Sequence, residues 1–308
     1  MAARQFRWLL YGELFIYGVL GYWLTSRAGW TLAQAAGLAL AGFLAVRLLI
    51  VGLTFVLMLQ GSGEVPPELR IGIVGGLRMV LEEYAAMILL FAVIQPFEAF
   101  WLGPDRLPKP APGRLPVLLI HGYQCNRGFW FWLRPRLEGA GWTVATHSLE
   151  PVFSDIDAYA DGIARRVDDV LAITGASQLI LVGHSMGGLA SRAYLRRHGA
   201  GKVARLITLG SPHQGTELAR LGLGPNARQM RVGSPWLRGL AAPLPAASVS
   251  IYSCHDNYVF PQQTCSTLPG ATNIAIGGVS HLGMAFSASL RRMLLQSLEG
   301  PAPRAGQN

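Results

Sequence analysis

Ser185 stands in Gly183-His184-Ser185-Met186-Gly187, a serine with a glycine two positions away on either side. A serine hydroxyl attacks a carbonyl only when a base removes its proton, and an acid that fixes the tautomer of that base completes the set. His281, in Gly277-Gly278-Val279-Ser280-His281, is the candidate base, and Asp256, just after the apolar run ending at Tyr252, is the candidate acid. Asp155 and Glu217 are rival acids in less suitable loops, and Asp256 could instead be a plain turn residue. Among the other histidines, His184 points away from Ser185 and packs, His121 structures the loop that follows it, and His213 could wall a pocket. The histidines show no H-E-x-x-H spacing, so a metal-assisted reaction lacks support, and neither metal nor cofactor is expected. An attacked carbonyl oxygen gains negative charge and needs backbone N–H donors. Met186, next after the serine, offers one such donor; Tyr123 in His121-Gly122-Tyr123-Gln124 offers the second, with Gln124 as the other choice.

Those residues need a frame that gathers positions 121 to 281. Short apolar runs predict strands at 115–120, 142–148, 178–182, 203–209, 248–252 and 273–276. Between them lie helical stretches at 128–138, 155–174, 187–198 and 284–298, the second with Ile156, Tyr159, Ile163, Val167 and Val170 at three- and four-residue steps. Alternating strands and helices predict an α/β fold, a mostly parallel sheet with helices on both faces, whose chemistry collects at the carboxyl ends of the strands. The glycine-flanked serine sits at such an end, between strand and helix. A serine lifted on so sharp a turn needs a strained backbone, and the glycines remove Cβ atoms that would collide there.

Ile120-His121-Gly122-Tyr123, Gly183-His184-Ser185-Met186-Gly187-Gly188 and Gly210-Ser211-Pro212-His213-Gln214-Gly215-Thr216 together resemble bacterial triacylglycerol lipases and esterases of the α/β-hydrolase superfamily. The resemblance covers about residues 115–298 and implies ester hydrolysis through an acyl-enzyme without a cofactor. The order Ser185, Asp256, His281 is the one that superfamily uses. Some of these lipases hold calcium near the histidine, but residues 257–280 contain no Asp or Glu to bind it. Only a short lid fits before the strand at 248; the stretch 221–244, with Met230, Trp236, Leu237 and Leu240, is either a mobile apolar cover or a loop packed over the sheet.

The first third of the chain has a different character. The 308 residues are 51% hydrophobic and 14% charged, with a mean hydropathy of +0.33, against about a quarter charged in ordinary soluble domains. Disorder is excluded and membrane association is expected. Three apolar segments, 6–24, 32–59 and 84–102, approach the ~20 residues a transmembrane helix needs. This divides the chain into a membrane anchor of about three transmembrane helices over 1–104, a linker over 105–114, the catalytic part over 115–298 and a tail over 299–308. Glu82 and Glu83 are expected at the membrane surface. Arg4 and Arg7 favour an inner N-terminus, and three spans would then put the catalytic part on the periplasmic side of a bacterial inner membrane.

The net charge of +9 falls wholly in 105–308, where 20 basic residues face 11 acidic ones. They are scattered, so nucleic acid is not an expected partner, while anionic lipid head groups are. Cys254 and Cys265 flank the Asp256 loop and are either bridged or buried as free thiols, with Cys125 unpaired. The sequence thus points to a membrane-anchored serine hydrolase of acyl or lipid esters. An acyltransferase or thioesterase using the same residues, or a non-catalytic membrane scaffold, are the alternatives.

Overall fold

The computed structural model describes residues 1–241 and 243–300, so positions 301–308 of the expected tail and one position of the 221–244 stretch lie outside it. All six expected strands form: β1 (Val117–Ile120), β2 (Val144–His147), β3 (Leu179–His184), β4 (Val203–Leu209), β5 (Val249–Ser253) and β6 (Thr272–Ile276). They make one parallel sheet in the order β2-β1-β3-β4-β5-β6. The helices are α1 (Ala2–Arg27), α2 (Leu32–Gly61), α3 (Ile73–Ile88), α4 (Glu98–Leu102), α5 (Leu133–Gly139), α6 (Ala160–Thr174), α7 (Met186–His198), α8 (Gly224–Gln229), α9 (Pro235–Arg238), α10 (Gln262–Ser266) and α11 (Ala288–Glu299).

The alternation of side chains along β1 sorts the core into two layers. Leu118 and Ile120 face α6 and α7, packing with Ile163, Val167, Leu189 and Tyr194. Val117 and Leu119 face the other way, toward Leu137 of α5 and Leu290 and Leu294 of α11. Ala86, Leu90 and Ile94 belong to that same second layer. The α3 helix and its continuation therefore cover the sheet, which the expectation of a separate third span did not foresee. Past Ile88 the chain runs on through a π-helical turn, Leu89–Ile94, and a 3-10 turn, Gln95–Phe97. Pro96 has no N–H to donate back along the helix, which accounts for the break at that point.

Among the described residues, two helical segments are long and apolar enough by themselves to cross a membrane, Leu32–Gly61 and Ile73–Leu102. Helix α1 is long enough, but Arg4, Arg7, Glu13 and its tyrosines and tryptophans reduce its hydropathy. It runs antiparallel to α2, with Glu13 bonded to both guanidinium nitrogens of Arg47 and the Tyr17 ring against Gly42. Glu13 of the first apolar segment thus satisfies Arg47, the single charge of the second. At the open end of this hairpin, Ala2 and Phe6 pack on Val152, the Met1 amine lies 2.6 Å from Glu150, and Val51, Phe55 and Met58 pack on Phe260. Both ends of the hairpin consequently rest on the sheet part. These contacts hold the N-terminus against the sheet part and lend no support to the expected periplasmic placement of the catalytic part, which had the N-terminus on the opposite side.

Two further expectations are resolved. Cys125, Cys254 and Cys265 are all buried free thiols, so the Cys254–Cys265 bridge is not formed. The loop between them is held by hydrogen bonds instead. The 221–244 stretch is the packed alternative: Met230, Leu237 and Leu240 are buried against the α6–α7 layer, and Arg192 donates 2.6 Å to the Leu240 carbonyl.

Candidate active site

The parallel register aligns the strand ends. Ile120 of β1 pairs with Gly183 of β3, His184 with Leu209 of β4, Leu209 with Ile251 of β5, and Ser253 with Ile276 of β6. The loops carrying Tyr123, Ser185, Asp256 and His281 therefore leave the sheet along one edge. Ser185 holds φ 54° and ψ −126°, a left-handed conformation uncommon for a residue with a Cβ. The turn leads directly into α7, whose first residue is Met186. A Cβ on Gly187 would fall 2.6 Å from the His121 carbonyl oxygen, and one on Gly122 would fall 2.8 Å from Ser185 Cβ. Glycine at both places lets the serine turn and the loop after β1 press together. The Tyr123 and Met186 N–H groups donate no loop hydrogen bond among the described residues, and Gln124 adopts φ 50°.

Asp256 and His281 meet directly. Both carboxylate oxygens lie within 3.0 Å of His281 Nδ1. Asp256 Oδ1 also accepts from the Tyr258 and Val259 N–H groups at 2.8 and 2.9 Å, so the carboxylate is fully buried yet satisfied. The Tyr258 ring stacks on His281 at 4.8 Å. Burial pulls the His281 imidazole down, but the Asp256 carboxylate, with Glu83 beyond it, overcomes this and holds it above the ordinary value. His281 and Ser185 are joined only through their surroundings: the His184 ring, one residue before the serine, lies 4.6 Å from the His281 ring. No hydrogen bond joins Ser185 to His281 among the described residues, and catalytic contacts of this kind commonly tighten only when substrate is bound.

The remaining histidines are structural. His184 stacks on Phe129 at 4.1 Å. His121 Nε2 accepts from the Leu149 N–H at 2.9 Å, which leaves the proton on Nδ1, 2.9 Å from the Gly122 carbonyl. Burial holds that ring neutral, with its pKa lowered to about 4. His121 thus braces the loop after β1, as its place in the sequence suggested. His213 walls no open pocket; it is buried with Nε2 2.9 Å from Thr208 Oγ1.

Residues 116–230 match the family described as alpha/beta hydrolase fold. The sheet part has the α/β-hydrolase fold, and its sequence is similar to that of lipases. Two curated relatives named triacylglycerol lipase, from Pseudarthrobacter phenanthrenivorans and Burkholderia plantarii, are each 36% identical over 117 residues, 35% of this chain. The chain spans about a third of those relatives, 36% and 32% of their lengths. The mature lipase BlEst2 of Bacillus licheniformis superposes with a TM-score of 0.56 at 20% identity, covering 63% of this chain and 96% of that one. Lipase B of Aspergillus fumigatus gives the same score and identity over 63% of this chain and 56% of its own. At that identity the superpositions establish the shared fold.

Around this α/β-hydrolase site the structure adds residues that the sequence did not single out. Gln95, at the break after α3, accepts from the Asn126 N–H at 2.7 Å through its side chain and from Asn126 Nδ2 at 2.8 Å through its carbonyl. This ties the helical layer to the loop bearing Tyr123. Asn257 Oδ1 accepts the His281 N–H at 3.0 Å, while its Nδ2 donates to Thr54 of α2 at 2.8 Å and to Glu83 of α3 at 3.2 Å. Gln262 Nε2 donates to the Asp256 carbonyl at 3.0 Å and to Ser62 Oγ at 3.1 Å. Glu82 lies outside, paired with Arg78 at 2.7 Å, but Glu83 is fully buried, which corrects its expected place at the membrane surface. Isolated polar residues in apolar helices were the only available signal.

Proposed function

We propose that this chain is a membrane-anchored serine hydrolase that cleaves carboxylic esters of acyl or lipid substrates through an acyl-enzyme. The observation that carries the reading is the buried Asp256 carboxylate on His281 Nδ1, beside a strained serine turn at the head of α7. With Nδ1–H given to Asp256, His281 Nε2 is the free base. It takes the Ser185 proton as Oγ attacks the ester carbonyl, and it returns that proton to the departing alcohol. The Tyr123 and Met186 N–H groups hold the oxyanion, helped by the positive end of α7. Water activated by the same imidazole then releases the acid. Replacing Ser185 by Ala should abolish hydrolysis of a short p-nitrophenyl ester while leaving the thermal melt unchanged; retained hydrolysis would refute the mechanism.

The α1–α2 hairpin serves as the anchor in this reading. Trp8, Leu9, Phe15, Ile16 and Tyr22 on α1 and Leu48, Leu49 and Leu59 on α2 are exposed, an apolar surface that water would disfavour. The outer side of α3 adds Val74, Leu77 and Leu81. Hairpin ends resting on the sheet part support an arrangement with the N-terminus and the catalytic part on one face of the bilayer. Tags at the two chain ends should therefore become protease-accessible together in sealed vesicles; accessibility from opposite faces would reject this arrangement.

A further inference from the structure

Glu83 is a fully buried acid on a helix whose outer side is apolar. A buried carboxylate is costly unless hydrogen bonds compensate for lost water. Here the compensating donors all belong to the segment around His281 and its partner loop. Glu83 Oε2 accepts the Gly283 N–H at 2.9 Å, and Oε1 accepts from Asn257 Nδ2 at 3.2 Å. Asn257 in turn holds the His281 N–H through Oδ1 and is steadied by Thr54 of α2. The residue two places after the histidine is thus fixed directly from the helical layer, and the histidine backbone is fixed through Asn257.

We propose that Glu83 is a positioning residue for His281, so that α2 and α3 complete the catalytic apparatus and do more than tether it. This rests on the reading of His281 as the base. The helix phase supports it: Met79, Glu83, Ala86 and Leu90 are the buried positions along one side of α3 and its extension, while adjacent Glu82 faces out. Electrostatics points the same way. The imidazole is faced by Asp256 and Tyr258 from the loop after β5, by His184 from the end of β3 and by Glu83 from α3. Burial keeps Tyr258 protonated and His184 unprotonated, and it pushes the Glu83 carboxyl up against the opposing pull of His281 and its hydrogen bonds; Asp256 first, and Glu83 after it, raise the affinity of His281 for a proton.

The test is ester hydrolysis by the full chain in detergent micelles, with pH profiles, for Glu83→Gln, Glu82→Gln, Thr54→Val and Ser185→Ala. An amide has one acceptor oxygen where the carboxyl group uses two, one toward Gly283 and one toward Asn257. Hydrogen bonds to a charged group have a value equivalent to roughly tenfold to hundredfold in rate. Glu83→Gln should lower kcat about tenfold or more with KM within about twofold, and move the acid limb of kcat/KM to lower pH. Glu82→Gln should match the parent in both readouts. A folded Glu83→Gln protein with kcat within twofold of the parent, or with an unmoved acid limb, overturns the proposal. Should Glu83→Gln melt before assay, Thr54→Val decides: a severalfold kcat loss at constant KM supports the proposal, and parental kcat overturns it. Ser185→Ala separates the two levels, since an active Ser185→Ala protein refutes the hydrolase mechanism itself, whatever Glu83 does.

Discussion

The sheet and the helical layer bring polar groups to the same loops by opposite means. At the sheet edge, Ser185, Asp256 and His281 each follow a strand or its turn, so the parallel register alone sets them side by side. In the helical layer, Thr54, Glu83 and Gln95 are lone polar residues on buried apolar stripes, and each bonds to a loop belonging to the sheet part. In the proposed mechanism one region carries the reacting groups and the other fixes their backbone. A catalytic geometry can therefore depend on segments that resemble an anchor in composition.

This division predicts a graded series of effects. The largest belongs to the sheet edge beyond the serine: Asp256→Asn should cost roughly 10³–10⁴ in kcat, because the amide favours the wrong imidazole tautomer. A loss below tenfold, measured with a short-chain ester, would hand the acid role to another residue. In the helical layer, Gln95→Ala strands the buried Asn126 N–H at a cost of about 1–3 kcal/mol. Its readouts are a lower melting temperature and about a tenfold drop in kcat, since that loop bears Tyr123. Unchanged kcat would confine the helical layer to the His281 side. A titration effect follows from the raised imidazole: His281 must be neutral to act, so activity should fall with decreasing pH through a pKa above the ordinary 6.5. An acid limb below 6.5 would show burial outweighing Asp256. The smallest effect concerns the net charge of +9. Activity on anionic vesicles should decline severalfold between low and high salt, as screening of lipid attraction requires, whereas a salt-independent rate would remove that attraction from the mechanism.

How much of this was legible from the sequence follows the same division. Ser185, Asp256 and His281 could be named because each lies at the end of an apolar run, a local pattern that needs no knowledge of distant contacts. The strands were legible for the same reason, within a residue or two of their observed bounds. Glu83 was not, because choosing between two adjacent acids requires the phase of α3 against the sheet, and only packing of Ala86, Leu90 and Ile94 sets that phase. The sidedness of the N-terminus was equally hidden. Basic residues balance across the expected spans, while the contacts of Met1, Ala2 and Phe6 with Glu150 and Val152 join positions about half the chain apart. The Cys254–Cys265 alternative stayed open in the sequence because spacing does not fix the direction of two thiols.

The most direct test of the central claim, that Ser185 is a nucleophile served by the Asp256–His281 pair, is labelling of the full chain in detergent with a fluorophosphonate probe, followed by peptide mapping. The predicted result is a single adduct on Ser185, absent in Ser185→Ala and formed far more slowly in Asp256→Asn. An adduct on another residue, or no adduct on protein shown by its melt to be folded, would contradict it.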